Sequence, residues 1–352
     1  MQGLLDRANQ ALGRLDGVTL LLPDPDLLIY TFVRKEAVLS SQIEGTQSSL
    51  SDLLIYEQDQ AVGVPGDVEE SSNYLAALNL GLALLDKLPL SLRIIKEVHA
   101  RLLQSGRGSD KDPGEFRRSQ NWIGGTRPGN ARFVPPPPHE VLGAMGALEK
   151  FLHDDPQPTP ILVKAALAHA QFETIHPFLD GNGRVGRLLI TLLLCEQKVL
   201  ARPILYLSLF LKENRDQYYD HLQRIRTNGE WEGWVEFFLE GVVRVAEQTT
   251  ETTQRIVRML DRDRHAVQEL GRAAGNVMKV YDHAVRHVVL TPRSAVRALR
   301  GEMTEPTVYR AVSELERIGI LREVTGRDRS RLYTYSEYLA ILNEGVSGPD
   351  DS

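Results

Sequence analysis

A twelve-residue run, His176-Pro177-Phe178-Leu179-Asp180-Gly181-Asn182-Gly183-Arg184-Val185-Gly186-Arg187, limits what this chain can fold into more than any other stretch. It joins two apolar helical patterns, residues 161–174 and 183–196, and is too short to separate domains, so the two helices must pack as neighbours. Gly181 and Gly183 let backbone N–H groups point outward at the start of the second helix, where a helix terminus carries partial positive charge. That combination suits phosphate. Arg184 and Arg187 stand three apart on the same helix and offer two guanidinium forks, which implies a polyphosphate. Asp180 supplies a hard oxygen of the kind that holds Mg2+ while the ion keeps most of its waters. His176 titrates near neutrality and can take a proton from an attacking hydroxyl. A turn that only connects helices has no need for a histidine, an acid and two arginines converging on one helix start. Phe178, between them, reads as the apolar anchor of the loop.

The rest of the chain reads as mainly helical. Apolar periodicity marks helices over residues 27–44, stopped by Gly45, then 71–85, 90–104 and 138–153, and one long or broken helix over 234–270. Residues 120–138 differ: Gly124-Gly125, Pro128-Gly129 and the prolines at 135–138 flank short strand patterns at 121–123 and 131–134, which predicts an exposed hairpin. With 352 residues, 42% apolar and 25% charged, the chain has globular composition and room for two or three domains. A formal charge of −6 gives no general attraction to nucleic acid or to an anionic membrane. The single cysteine, Cys195, lies in an apolar run, which excludes an internal disulfide and suits a reducing compartment. No basic leader opens the sequence and no stretch approaches the roughly 20 apolar residues that span a bilayer, so the expected location is the cytoplasm, with no membrane partner.

The loop resembles the signature of the Fic family, His-Pro-Phe-x-Asp-Gly-Asn-Gly-Arg-x-x-Arg, at every fixed position, and the resemblance extends over about residues 25–250. It implies an all-helical core in which a histidine deprotonates a Ser, Thr or Tyr hydroxyl of a target protein, or of the enzyme itself. That hydroxyl attacks the α-phosphate of ATP, and Mg-pyrophosphate leaves. By position, His176 is the base and Asp180 the metal ligand, and Gly181, Asn182, Gly183, Arg184 and Arg187 surround the phosphates. The related Doc branch phosphorylates its target and has lysine where Gly183 stands, so glycine here favours nucleotidyl transfer. The hairpin at 120–138 resembles the family's flap, which aligns the target by strand addition, with Ala131, Arg132, Phe133 and Val134 nearest substrate. Tyr218 and Tyr219 are candidates for the adenine site, against the alternative that aromatics at helical spacing are core.

Inhibited members of the family carry Ser/Thr-x-x-x-Glu-Gly/Asn on a helix packed against the phosphate loop, and Ser40-Ser41-Gln42-Ile43-Glu44-Gly45 matches that pattern. By this resemblance Glu44, with Ser40 on the same helix face, pairs with Arg187 and blocks productive ATP seating.

Beyond Ala274-Gly275 the composition changes. A helix to about His287, a short one over 292–300, another over 305–318 and a hairpin pattern over 321–335 follow in the order of a winged helix-turn-helix, with Thr304 as N-cap and Gly326 turning the wing. Between Arg286 and Tyr335 ten arginines face six acids, so this unit is locally basic. Thr307, Tyr309 and Arg310, with Arg327, Arg329 and Arg331, are candidates for DNA contact; a protein partner or a second copy of the chain is the alternative. The expected organisation is an N-terminal helical region at 1–110, a catalytic core at 111–250, a connecting helix at 251–275, a winged helix-turn-helix at 276–340 and a tail at 341–352. Two rival functions stay open: a nucleotide-sensing DNA-binding regulator, and removal of AMP from a modified protein at the same site.

Overall fold

The computed structural model describes residues 1–19, 25–58, 66–153, 159–327 and 331–344. Its helices are α1 (Gln2–Thr19), α2 (Pro25–Ile43), α3 (Leu50–Gln58), α4 (Val68–Leu85), α5 (Leu92–Leu102), α6 (Pro138–His153), α7 (Ile161–Ile175), α8 (Asn182–Glu196), α9 (Ser208–Glu213), α10 (Arg215–Asn228) and α11 (Trp231–Gln268). After them come α12 (Ala274–His287), β1 (Val289–Leu290), α13 (Pro292–Ala298), α14 (Glu305–Arg317), β2 (Leu321–Glu323), β3 (Tyr333–Tyr335) and α15 (Ser336–Asn343). The architecture is mainly α.

The organising helix is α8, whose side chains from Arg184 to Leu194 are all buried. A helix apolar on every side needs neighbours all round, and α7, α4, α5 and α2 supply them. The result fixes the loop at 176–187 at the centre of the body, at the joint between α7 and α8. His176 ends α7 in the left-handed conformation (φ 49°), and Gly181 repeats that conformation (φ 76°) just before α8, so the chain reverses in a few residues. The left-handed backbone is cheap for Gly181 and costly for a histidine.

One expectation is corrected, one alternative is decided and several helices are added. The flap is not a pair of strands: residues 121–123 and 131–134 meet in one antiparallel bridge, Ile123 with Phe133, around a short turn at Pro128–Asn130. The prolines at 135–138 lack the N–H groups that would extend a ladder. The helical run at 234–270 is one continuous helix of 38 residues, α11. Helices that the periodicity did not announce, α1, α3, α9, α10 and α15, are present, and α1 lies along α11.

The C-terminal elements form a three-stranded antiparallel sheet in the order β1-β3-β2, pairing Leu290 with Tyr333 on one edge and Arg322 with Thr334 on the other. Thr291 caps α13: its hydroxyl accepts from Ser294 N (3.0 Å) and its own N–H donates to Ser294 Oγ (3.1 Å). This unit packs on the body at both ends of the chain's path. Tyr335 donates to Asp263 of α11 (2.5 Å), His287 meets Tyr30 of α2 edge-on, and Lys35 of α2 donates to the Glu344 carbonyl (2.8 Å). Arg329 and most of the tail expected at 341–352 lie outside the described residues. No helix among the described residues is long and apolar enough to cross a membrane.

Candidate active site

Phe178 is fully buried and stacks on the His99 ring at 3.6 Å, with Phe116 and Phe172 around it, so the middle of the loop is pinned by apolar contact. His99 does a second job. Gly114 N–H donates to its Nδ1 (2.8 Å), so its Nε2 carries the proton and donates to the Asp180 carbonyl (3.0 Å). Burial holds this ring down to about 4, consistent with that neutral form. Asn182, expected at the phosphates, spends its side chain elsewhere: Oδ1 accepts from Phe178 N (2.9 Å) and Nδ2 donates to Phe178 O (2.8 Å). It is a brace, and only its backbone N–H is available to an anion. Arg117, which the sequence reading passed over, is buried and donates to the His176 carbonyl (2.9 Å), while Asn121 donates to Phe178 O (2.9 Å) and ties the flap's base to the loop.

The His176 side chain keeps about a fifth of its surface exposed. Its Nδ1 is buried and has no hydrogen-bond partner, so Nε2 is the nitrogen left for a reactant. Burial, helped by the Arg226 guanidinium, pulls the ring down to about 4, so it is neutral and basic across the physiological range.

The two arginines differ. Arg187 is buried and engaged through two of its nitrogens: Nη2 meets Glu44 Oε1 at 2.7 Å and the Ser40 carbonyl at 2.9 Å, while Nε donates to Ser40 Oγ at 2.8 Å. It thereby satisfies a carbonyl in the last turn of α2, the negative end of that helix. Burial works to raise the Glu44 carboxyl and the Arg187 charge to lower it, and the net result lies below its ordinary value. Glu44 Oε1 presses on the first turn of α8 so closely that a Cβ on Gly183 would stand 2.2 Å from it. Arg184 is equally buried, with Nη1 on Glu70 Oε2 (2.9 Å) and Nη2 3.6 Å from Asp180 Oδ1. Its Nε and Nη2 donors have no hydrogen-bond acceptor. Arg107 also reaches Glu70 (3.1 Å) and the Glu44 carbonyl (3.3 Å). Neither Glu70 nor Arg107 was singled out from sequence; their link to the loop spans more than seventy residues, and only the fold makes it.

Asp180 is about one-third exposed beside this nest, with Gly108 packed against its carboxylate. Among the described residues no group of three or more His, Cys, Asp or Glu could hold a metal by itself. A single partly exposed carboxylate fits Mg2+ shared with phosphate oxygens and water, and does not fit a resident protein-caged ion.

In the flap, Ala131 and Phe133 are half-buried and Arg132 and Val134 exposed. Arg132 pairs with Asp220 of α10, and the Arg226 guanidinium lies over the Phe133 ring at 4.2 Å. Tyr218 is buried in a cluster with Trp234, its hydroxyl 2.9 Å from His169 Nε2, which puts it in the packing behind the loop. Tyr219 is the member of the pair with an accessible face. In the C-terminal unit, Tyr309 and Arg310 are exposed on α14 and Arg327 and Arg331 are exposed beyond it. Thr304 occupies the N-cap of α14, yet its hydroxyl pairs with that of Thr307 (2.8 Å) rather than with a backbone N–H.

Comparison with known proteins agrees with this geometry. A family model described as the Fic/DOC family N-terminal region matches residues 2–83, and one described as the Fic/DOC family matches residues 89–194. Together they take in just over half of the chain, which belongs to the Fic/DOC family. A protein of Drosophila yakuba named protein adenylyltransferase Fic is 30% identical over 203 residues, 56% of this chain and 38% of that protein. Its namesake in Drosophila grimshawi is 34% identical over 167 residues, 47% of this chain and 31% of that protein. The chain thus spans well under half the length of these curated relatives. Among solved structures, a Fic family protein from Desulfovibrio desulfuricans G20 superposes with a TM-score of 0.61 at 21% identity, covering 94% of each chain. A Fic domain containing signaling protein from Bacteroides thetaiotaomicron gives 0.56 at 20% identity, over 70% of this chain and 97% of that one. At these identities the structures speak to the fold.

Proposed function

We propose that this chain is a protein adenylyltransferase held in check by its own Glu44. The observation that carries the reading is the pair of buried Arg184 donors left without an acceptor beside the open first turn of α8, within one loop of His176. A hydrogen-bond acceptor is what such donors lack, and a phosphate oxygen would supply one. The phosphates of ATP would lie along the N–H groups of Asn182, Gly183 and Arg184, with Arg184 as a fixed cation. Mg2+, when bound by Asp180 and the nucleotide, would supply charge neutralisation on the leaving pyrophosphate. His176 Nε2 takes the proton of the target hydroxyl as its oxygen bonds the α-phosphorus, and the bond to the pyrophosphate oxygen breaks with its electron pair. Tyr219 is the candidate flank of the adenine, and the flap strand at 131–134 the rail for the target.

Glu44 occupies the one cation that a terminal phosphate would need, and its charge faces the same nest. Replacing it with glycine frees Arg187. The test is incubation with α-labelled ATP and Mg2+: label should pass to protein weakly in the wild type, strongly in Glu44→Gly, and not in Glu44→Gly with His176→Ala. Equal labelling of wild type and Glu44→Gly removes the brake, and no labelling in any variant removes the transferase. Loss of AMP from a pre-modified protein would instead support the reverse reaction at the same site.

We read residues 274–343 as a winged-helix unit, supported by the order α12, β1, α13, α14, β2, β3 and by the exposed Tyr309 and Arg310 on α14. Salt-dependent retardation of duplex DNA, lost on Arg310→Ala, would support DNA as its partner.

A further inference from the structure

The base of this site has a companion one helical turn behind it. Glu173 and His176 stand three apart at the end of α7, and the left-handed turn at His176 swings its ring back over that last turn, bringing Nδ1 to 3.8 Å from Glu173 Oε2. His176 Nδ1 and Glu173 Oε1 are both buried without a well-formed hydrogen bond, and the Glu173 backbone carbonyl is the competing acceptor near the His176 ring. A buried carboxylic acid with no partner is costly and is retained where something uses it. The room for it is made on the other side by Gly186, where a Cβ would stand 2.6 Å from Oε1. The backbone of Glu173 is held as well, its carbonyl accepting from Arg226 (2.9 Å), the same arginine that lies over Phe133 of the flap.

We propose that Glu173 is the positioning residue of the base: its carboxylate takes the Nδ1 proton of His176 in a hydrogen bond and so leaves Nε2 unprotonated toward the target hydroxyl. The carboxylate touches no reactant. It acts by choosing which ring nitrogen carries the proton, and by stabilising the ring once Nε2 has accepted another. The consequence is a titration that belongs to Glu173 rather than to the imidazole. Around it stand His169 and His176 from α7 and its end, Arg187 from α8, Tyr218, Tyr219 and Arg226 from α10, and Glu44 from the end of α2. Burial wins over the arginines and pushes its carboxyl up to about 7, whereas the ring of His176 titrates far lower. Below neutrality the protonated acid donates to Nδ1 and puts the ring's own proton on Nε2, the wrong place for a base. Above it, the carboxylate accepts and the productive tautomer forms.

The chemistry of this step rests on the adenylyltransferase reading, but the tautomer does not, and the experiment separates them. In the full chain carrying Glu44→Gly, kcat for AMP transfer should rise with pH between 6 and 8, by about tenfold for a group titrating at 7 and by less to the extent that losing the Glu44 charge lowers that titration. Adding Glu173→Gln should lower kcat at pH 8 about 10- to 100-fold, leave KM for ATP unchanged and flatten the rise. Independently of turnover, 15N resonances of the His176 ring, assigned against His176→Ala, should exchange one neutral tautomer for the other across pH 7, and stay fixed in Glu173→Gln. A ring whose tautomer is constant from pH 6 to 8 in the parent overturns the proposal, as does a Glu173→Gln variant with the parent's kcat and pH profile. Absence of all AMP transfer with a normal tautomer exchange overturns only the enzymatic reading.

Discussion

The phosphate loop and the flap lie against each other and are built on opposite plans. In the loop the backbone is tied down: Asn182 closes both bonds to Phe178, His99 holds the Asp180 carbonyl, Arg117 holds the His176 carbonyl, and the aromatic stack fills the space between. The flap has a single bridge, Ile123 to Phe133, and shows Trp122 and Val134 to solvent. Chemistry demands atoms held to fractions of an ångström, whereas recognition of a varied target is served by an edge that can adapt its pairing. The contrast teaches where substitutions should abolish transfer and where they should retune it.

The largest effect tests the rigid side. His176→Ala in the Glu44→Gly chain should cut AMP transfer about 10³-fold, as loss of a general base does, with the circular dichroism spectrum unchanged. A small loss would mean the loop is scaffold rather than chemistry. Next, Glu44→Gly should raise the transfer rate about 30-fold over wild type, the equivalent of about 2 kcal/mol of charge pairing. Its pH dependence follows from the sign of the shift. The Glu44 carboxyl is held below its ordinary value by Arg187, so the pair is intact at and above neutral pH and is lost as pH falls through that depressed value. The pair itself should therefore contribute a constant factor from pH 6 to 9 and a smaller one only in acid.

Asn182→Ala sharpens the contrast on stability: two buried backbone partners lose their bonds, which should cost about 2–3 kcal/mol in urea unfolding. The flap supplies the smallest number. Phe133→Ala removes the ring under Arg226 and should change stability by at most about 1 kcal/mol. It should raise KM for the protein target severalfold and leave KM for ATP alone. If instead the ATP constant moves and the target constant does not, the flap belongs with the loop and the contrast fails.

The candidate loop stood out in sequence because its polar residues are contiguous: a histidine, an acid, glycines and two arginines occupy twelve successive residues. Glu44 was legible because an N-terminal Ser-x-x-x-Glu-Gly resembles a known inhibitory helix. What holds these residues was not. Glu70, Arg107, His99 and Arg117 sit in stretches that read as ordinary amphipathic helix or surface charge, and only packing turns Arg117 inward to the His176 carbonyl. Glu173 looked like one more helix glutamate until the left-handed turn at His176 folded the ring toward it. Asn182 was placed at the phosphates by its position in the family signature, yet its side chain is consumed by the loop. The strands of the flap were over-read for the same reason, that alternation over three residues weighs little against four prolines. In the C-terminal unit the hairpin at 321–335 was readable, and β1, two residues long, was not.

Helix α11 runs 38 residues, about 57 Å at the usual rise, and carries α1 along one stretch and the C-terminal unit along another. A protein chemist trimming the chain at residue 270 to isolate a catalytic fragment would strip His287 from Tyr30 and leave Lys35 of α2 without its carbonyl. The excised piece would carry the Glu44 helix with its far end unmoored, and its basal rate would report the surgery as much as the enzyme.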